Sequence, residues 1–328
     1  MNRTRLGFIG AGGIATRHTN VLLDFPDVNI AAFADQSLDR AQELAALAGA
    51  KAYADFRQML DCEQLDALYI CVPPFAHGEI ERAALERGLP FFVEKPLAAD
   101  YETAAQIARE VAARNLITAV GYHWRYLDTT MRVQELLEKN PARLALGYWL
   151  DATPPPAWWS VEAQSGGQMV EQTTHIFDLT RLLIGEAVSV YAAGSRTERA
   201  EFPHTDVSDV SVATLNFASG AIGTLASTCL LRWKHRTELH LFSEAMAIEL
   251  SDVSMIIDVG RGRPVEPAQG DPVVREDRDF IDAVQGKSNR IRVPYAEALR
   301  THRLVTLAVE SARNGQVINL RQAEEMND

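Results

Sequence analysis

Within the first 120 residues, short apolar runs alternate with amphipathic segments of helix length, and this alternation constrains the fold more than any other feature. The runs are RLGFI (5–9), NIAAFAD (29–35), ALYICV (67–72), FFVE (91–94) and LITAV (116–120), with a short KAYA segment after Gly49. Between them the 3.6-residue periodicity predicts helices from Ile14 to Phe25, from Ser37 to Gly49, up to Gly88, and from an Asp100 N-cap to Arg114. Apolar strands separated by helices of this length predict a doubly wound parallel sheet covered on both faces.

The first strand-to-helix junction carries Gly10-Ala11-Gly12-Gly13-Ile14-Ala15, a G-x-G-x-x-A string. The first glycine permits a tight turn, the second lets the backbone approach a pyrophosphate, and Ala15 allows close helix–sheet packing. The helix N-terminus adds N–H donors and positive potential. The string is informative because Asp35 closes the second run, where a carboxylate can bind an adenosine ribose diol and repel a 2′-phosphate. Asp35 read alone is also an ordinary turn aspartate. The combination predicts an NAD site; NADP is the alternative, because Arg40 lies one helical turn away and would offset part of the repulsion.

Ligands of such sheets bind beyond the carboxyl ends of the strands. There stand PPFAH (73–77), with Pro73 and His77, and Glu94-Lys95-Pro96. Each has a plain reading as well: Lys95 as a solvated loop residue, His77 as a helix-start histidine.

After about residue 120 the pattern changes. RLALGYWLDA (143–152), VSVYAAGSRT (188–197), DVSVATLNF (209–217) and AIGTLASTCLL (221–231) are rich in β-branched and aromatic residues, and RTELHLFS, AMAIEL and VSMIIDV continue the series. These predict an α/β domain built on a large, mainly antiparallel sheet. Residues 260–272 read as a Gly/Pro-rich loop, with helices at about 273–285 and 295–313. The expected division is residues 1–120 for dinucleotide binding and 121–328 for substrate binding and oligomerisation.

Several side chains remain open between packing and binding. Trp158 and Trp159 follow three prolines and serve either as sugar-stacking faces or as packing anchors. Arg125 sits at the domain junction, in reach of cofactor or substrate. Arg232-Trp233-Lys234-His235-Arg236 reads as a solvated strand end rather than an anion site. The segment from Gln168 to Ile184 reads as one helix with Gly185 as its stop; Glu171, His175 and Asp178 share one face, and Ile176, Leu179 and Leu183 another. On so apolar a helix the titratable stripe either forms a paired structural network or lines a cavity.

Composition excludes some partners. The formal net charge of -12 gives no electrostatic help with nucleic acid or an anionic membrane. MNRTR runs directly into LGFIG, so neither signal peptide nor membrane span is expected, and a cytoplasmic setting is the simplest expectation. Cys62, Cys71 and Cys229 are too few and scattered for a disulfide framework or zinc cluster, and no metal site is expected.

GAGGIATRH (10–18), VPPFAH (72–77), FFVEKPLA (91–98), GYHWRY (121–126), GGQMVEQTTHIFD (166–178) and ESARNGQVINL (310–320) together resemble the Gfo/Idh/MocA family of nicotinamide-dependent oxidoreductases. The resemblance runs in order along nearly the whole chain, and the EKP element is its most specific mark. It implies a Rossmann domain followed by an α/β domain, a sugar, polyol or related substrate, and dimers or tetramers joined through sheet faces. It also implies a cis Lys95–Pro96 bond, a catalytic Lys95 and a catalytic His175, with Glu171 standing where the family has Asp. On this basis Lys95 polarises the reacting oxygen, His175 exchanges its proton and Glu171 orients one or both. Glu94 and His77 are expected along the cofactor. A redox-assisted lyase or glycosidase, or a non-catalytic dinucleotide sensor, is the competing expectation.

Overall fold

The fold is described from a computed structural model, over residues 3–320. Contacts divide the chain into two units. Among the described residues, one comprises 3–123 together with Asp271–Leu299; the other comprises Trp124–Gly270 and 300–320.

In the first unit the elements run β1 (Thr4–Ile9), α1 (Gly13–Leu23), β2 (Val28–Ala34), α2 (Leu38–Ala48), β3 (Lys51–Tyr53), α3 (Phe56–Cys62), β4 (Ala67–Ile70), α4 (Glu79–Glu86), β5 (Phe91–Val93), α5 (Tyr101–Arg114) and β6 (Thr118–Val120). All six strands are parallel, in the order β3-β2-β1-β4-β5-β6. The order reverses between β1 and β4, the crevice where doubly wound sheets bind dinucleotides. Local signals act as expected: Asp100 accepts from the Thr103 N–H at the start of α5, and Gly49 closes α2 in the left-handed conformation. Helix α3 escaped the periodicity because its seven residues are too short to display one; its Asp55 N-cap accepts from Arg57 N–H.

In the second unit, α6 (Asp128–Lys139), β7 (Leu144–Ala152), α7 (Glu162–Ser165), a π-helical turn (Met169–Thr173) and α8 (Thr174–Ile184) precede β8 (Ala187–Ser195), β9 (Val210–Phe217), β10 (Ile222–Leu231), β11 (Arg236–Ser243), β12 (Met246–Ser251), β13 (Ser254–Asp258) and β14 (Val265–Pro267). A final short strand, Ile318–Asn319, completes a nine-stranded sheet that is antiparallel except where β7 and β10 run parallel. Alternate residues of β9 and β10 are buried, so one face packs under α8, whose Ile176, Leu179 and Leu183 join the core as their spacing predicted. Residues 260–272 are not wholly loop: Val265–Pro267 adds an edge strand beside β13.

The linear division of the chain needs correction. Helix α9 (Pro272–Val284) belongs to the first unit rather than the second. Phe33, Phe8, Tyr69 and Phe92 stand opposite one another on β2, β1, β4 and β5 and stack at centroid spacings of 5.1, 4.8 and 5.0 Å. Phe280 of α9 meets the last two edge-on, at 5.5 and 5.8 Å. Each pair contributes about 0.5–1.5 kcal/mol beyond its burial. A distant helix completes the cover of the sheet, and the chain passes into the second unit within α10 (Tyr295–Asn314). Among the described residues no helix is long and apolar enough to cross a membrane. The three cysteines are free thiols.

Candidate active site

The glycine turn has the form a pyrophosphate needs. Gly10 holds φ +92°, and a Cβ there would lie 2.2 Å from the Cys71 carbonyl oxygen, so only glycine fits. Gly12 caps α1 without a side-chain hydrogen bond, no acidic residue occupies the first turn, and a Cβ on Gly12 or Gly13 would meet nothing within 4 Å. Ile14 packs at the edge of the core and Ala15 is fully buried against the sheet. The positive end of the helix therefore faces open space over a bare backbone.

Asp35 lies next to this turn and shapes it. One carboxylate oxygen accepts the Ala11 N–H at 2.8 Å and the other the Ser37 N–H at 2.8 Å. Each oxygen keeps lone-pair capacity for a ribose hydroxyl. Arg40 reaches to 3.3 Å but is 59% exposed, so its screening of Asp35 is weak. These residues fit an adenosine diphosphate moiety without a 2′-phosphate.

Past β4, Pro73 is extended and leads a short 3-10 turn. His77 is not poised as a free ligand group: its side chain is buried and its Nδ1 lies 2.6 Å from Glu81, which also accepts the Gly78 N–H at the start of α4. Glu94 is likewise held internally. One oxygen lies 3.0 Å from His18 Nε2 and the other accepts the Lys95 N–H at 3.2 Å. Burial alone would raise the Glu94 carboxyl, but the His18 contact and nearby Lys95 and His123 hold it below the usual carboxylate range. Both carboxylate oxygens of Glu94 and one ring nitrogen of His77 thus make internal contacts. Lys95 is half-buried, and the Lys95–Pro96 peptide is cis.

Three side chains of the second unit, grouped by helical spacing in the sequence, go to three different surroundings. The continuous helix expected from Gln168 is broken in register by the π turn at Met169–Thr173, a device that recurs at functional sites. Glu171, inside that turn, accepts the Trp159 indole N–H at 2.7 Å. His175, in the first turn of α8, stacks near-parallel to Trp124 and Trp149 at 5.9 and 5.8 Å and is 4% exposed. Asp178 takes a bidentate pair of bonds from Arg125, both 2.7 Å, and one from the Thr301 hydroxyl at 2.8 Å. Arg181 donates to Thr301 at 2.7 Å and pairs with Glu186. Asp178 is thus paired inside the second unit, and the Arg125 guanidinium is engaged with it.

Trp159 is a packing anchor, 1% exposed beside Val207 and Cys229, with Trp158 against the same cluster. Its face is not open for sugar stacking. Sequence reasoning passed over Trp124 and Trp149, the two rings that stack beside His175, because neither lies near it in the chain.

A doubly wound sheet with an acid-bordered glycine cradle at its switch point defines a dinucleotide-dependent oxidoreductase domain. Residues 4–122 match the family described as "Oxidoreductase family, NAD-binding Rossmann fold", and residues 142–249 match the "GFO/IDH/MocA C-terminal domain". The chain belongs to the Gfo/Idh/MocA oxidoreductases. It is 30% identical over 227 residues to myo-inositol 2-dehydrogenase of Thermotoga maritima, covering 67% of each chain. It is 27% identical to the dTDP-3,4-didehydro-2,6-dideoxy-alpha-D-glucose 3-reductase of Streptomyces antibioticus, over 95% of this chain and 98% of that one. The WlbA dehydrogenase of Bordetella pertussis, solved with NADH and UDP-GlcNAcA, superposes with a TM-score of 0.84 at 21% identity, over 97% and 99% of the two chains. The chain is an NAD-dependent oxidoreductase.

Proposed function

We propose that the protein oxidises a secondary alcohol of a cyclic polyol or sugar to the ketone, or runs the reverse reaction. The observation that carries this reading is Lys95, in the EKP element at the end of β5, in the same sheet as the Asp35-bordered cradle. The names of the relatives, an inositol dehydrogenase and a deoxysugar reductase, support the substrate class. When bound, the nicotinamide supplies the acceptor or donor of the hydride.

The chain's own residues supply the rest. Gly10, Gly12, Gly13 and the N-terminus of α1 hold the pyrophosphate, and Asp35 accepts from the ribose hydroxyls. Lys95, as an ammonium, stabilises negative charge developing on the reacting oxygen. His175 takes the hydroxyl proton as the alcohol becomes a ketone and returns it in the reverse direction. Trp124 and Trp149 pack beside the imidazole in a near-parallel cluster, which limits its rotation. Glu171 acts at one remove, by fixing Trp159. The activities named for the relatives do not favour the redox-neutral lyase or the sensor.

The exposed face of the second unit's sheet presents Tyr191, Val212 and Ile222, each more than 40% exposed, and we assign it to self-association with a second copy. Light scattering after gel filtration tests this: a dimer or larger assembly is expected, and a monomer whose size is independent of concentration contradicts it.

The reaction is tested with myo-inositol, scyllo-inositol and a panel of pyranoses, read by nicotinamide absorbance with NAD and NADP separately. Turnover of at least one cyclic polyol or sugar with NAD is expected. No turnover across the panel, in either direction, contradicts the reading.

A further inference from the structure

His18 lies on α1, is completely buried, and is used by nothing in the reaction above. Its Nδ1 lies 2.8 and 3.0 Å from the two oxygens of Asp277 on α9, and its Nε2 3.0 Å from Glu94. Tyr69 donates to the same Asp277 at 3.2 Å, and Phe92 meets the imidazole edge-on at 4.9 Å. Both ring nitrogens face carboxylates, so both act as donors and the ring is an imidazolium. Burial alone would lower the His18 pKa, but Asp277 and Glu94 raise it well above the usual histidine value.

Glu94 is confined on its other side as well. A Cβ at Gly121 would fall 2.2 Å from one Glu94 oxygen and 2.8 Å from the other, so the carboxylate lies directly on the Gly121 backbone. With His18 on one side and Gly121 on another, its second oxygen is left to take the Lys95 N–H.

We propose that His18 and Asp277 are positioning residues: the pair fixes the Glu94 carboxylate, which in turn fixes the backbone at Lys95 and so the origin of the ammonium-bearing side chain. Helix α9, some 180 residues away in the chain, thereby has a part in setting the geometry of the reaction. The inference rests on the assignment of Lys95 as the residue that polarises the reacting oxygen. A displacement of about 1 Å at a positioning group costs up to about a hundredfold in rate, so a small relaxation of Glu94 has a measurable effect.

The same cluster invites a second reading. His18, Glu94 and Glu276 each offer an atom within 4.8 Å of the others, a spacing suited to a small cation. Both His18 nitrogens are already engaged by carboxylates, however, and coordination would take Glu94 away from His18. Glu276 is 2% exposed, and burial pushes its carboxyl well above the usual range, which disfavours the charged form a cation needs.

The test is a set of double-mutant cycles on the best substrate of the panel. His18→Gln, Asp277→Asn and Gly121→Ala are each made alone and on a Lys95→Ala background, with kcat, KM, NADH affinity by fluorescence and the melting temperature recorded. Each single variant is expected to lose at least about tenfold in kcat, with KM and NADH affinity within about threefold. On the Lys95→Ala background the same changes are expected to cost almost nothing further, because the group they position is gone. Equal losses on both backgrounds overturn the proposal, as does wild-type kcat in folded His18→Gln and Gly121→Ala proteins. Stoichiometric bound metal in the purified enzyme, lost on His18→Gln, overturns it in favour of the cation site. If Lys95→Ala alone keeps wild-type turnover, the assignment of Lys95 fails first; if Lys95→Ala is slow and His18→Gln is not, only the positioning role fails.

Discussion

Replacing Asp178 by Asn separates structure from chemistry on α8. The carboxylate is 1% exposed and accepts three hydrogen bonds, two from the Arg125 guanidinium and one from Thr301. Asparagine keeps the shape but removes the charge and turns one acceptor into a donor aimed at a cation. Arg125, 5% exposed, is left without its counter-charge; Arg181 next door stays compensated by Glu186. Breaking a buried, hydrogen-bonded pair in this way costs about 3–5 kcal/mol. At about 2–4 °C per kcal/mol for units of this size, the melting temperature should fall by roughly 6–20 °C. Circular dichroism on the purified variant reads the shift, and turnover well below the new midpoint should stay within about tenfold of wild type. A midpoint unchanged within about 2 °C with turnover abolished would refute the structural assignment and move Asp178 into the reaction.

Asp35→Ser should narrow the preference for NAD over NADP, because it removes the charge that repels a 2′-phosphate; calorimetric titration with both cofactors checks it, and an unchanged ratio contradicts it. His18 and His123, both in the first unit, should give stability opposite pH dependences. His123 is lowered from 6.5 to about 4, chiefly by burial, so the unfolded chain takes a proton that the folded one refuses. Stability should therefore fall as pH drops from about 6.5 to about 4, by up to about 3 kcal/mol, and His123→Gln should flatten that limb in urea titrations. His18 is raised instead, so its contribution is complete below 6.5 and is lost as pH rises through its folded value; Asp277→Asn should weaken that alkaline loss.

The first unit was legible in the sequence because each of its signals is local. Apolar runs, Gly10, Asp35, the Asp100 cap and the Gly49 stop act within a few residues of themselves, and the structure keeps them all. The return of α9 was not legible, because the contact between Phe280 and the ring ladder is made across some 190 residues and its amphipathic pattern fits either unit. The same distance hid the link from His18 to Asp277, although His18 stood inside a quoted motif. The spacing of Glu171, His175 and Asp178 singles out the titratable residues of this segment, and the π turn at Met169–Thr173 alters the register between the first and the other two. A π turn leaves no mark in the sequence, nor do the contacts of Glu171 with Trp159, His175 with Trp124 and Asp178 with Arg125. Trp158 and Trp159 show the limit of composition: indoles near prolines suit a sugar or a core, and only burial distinguishes the two.

The most direct measurement is pre-steady-state hydride transfer by His175→Ala and Lys95→Ala on the best substrate of the panel, beside NADH affinity for each. Both variants should lose at least about a hundredfold in the rate of the chemical step, with NADH affinity nearly unchanged. Wild-type hydride transfer by folded His175→Ala would contradict the proton-exchange role, and leave the imidazole beside Trp124 and Trp149 as part of the core.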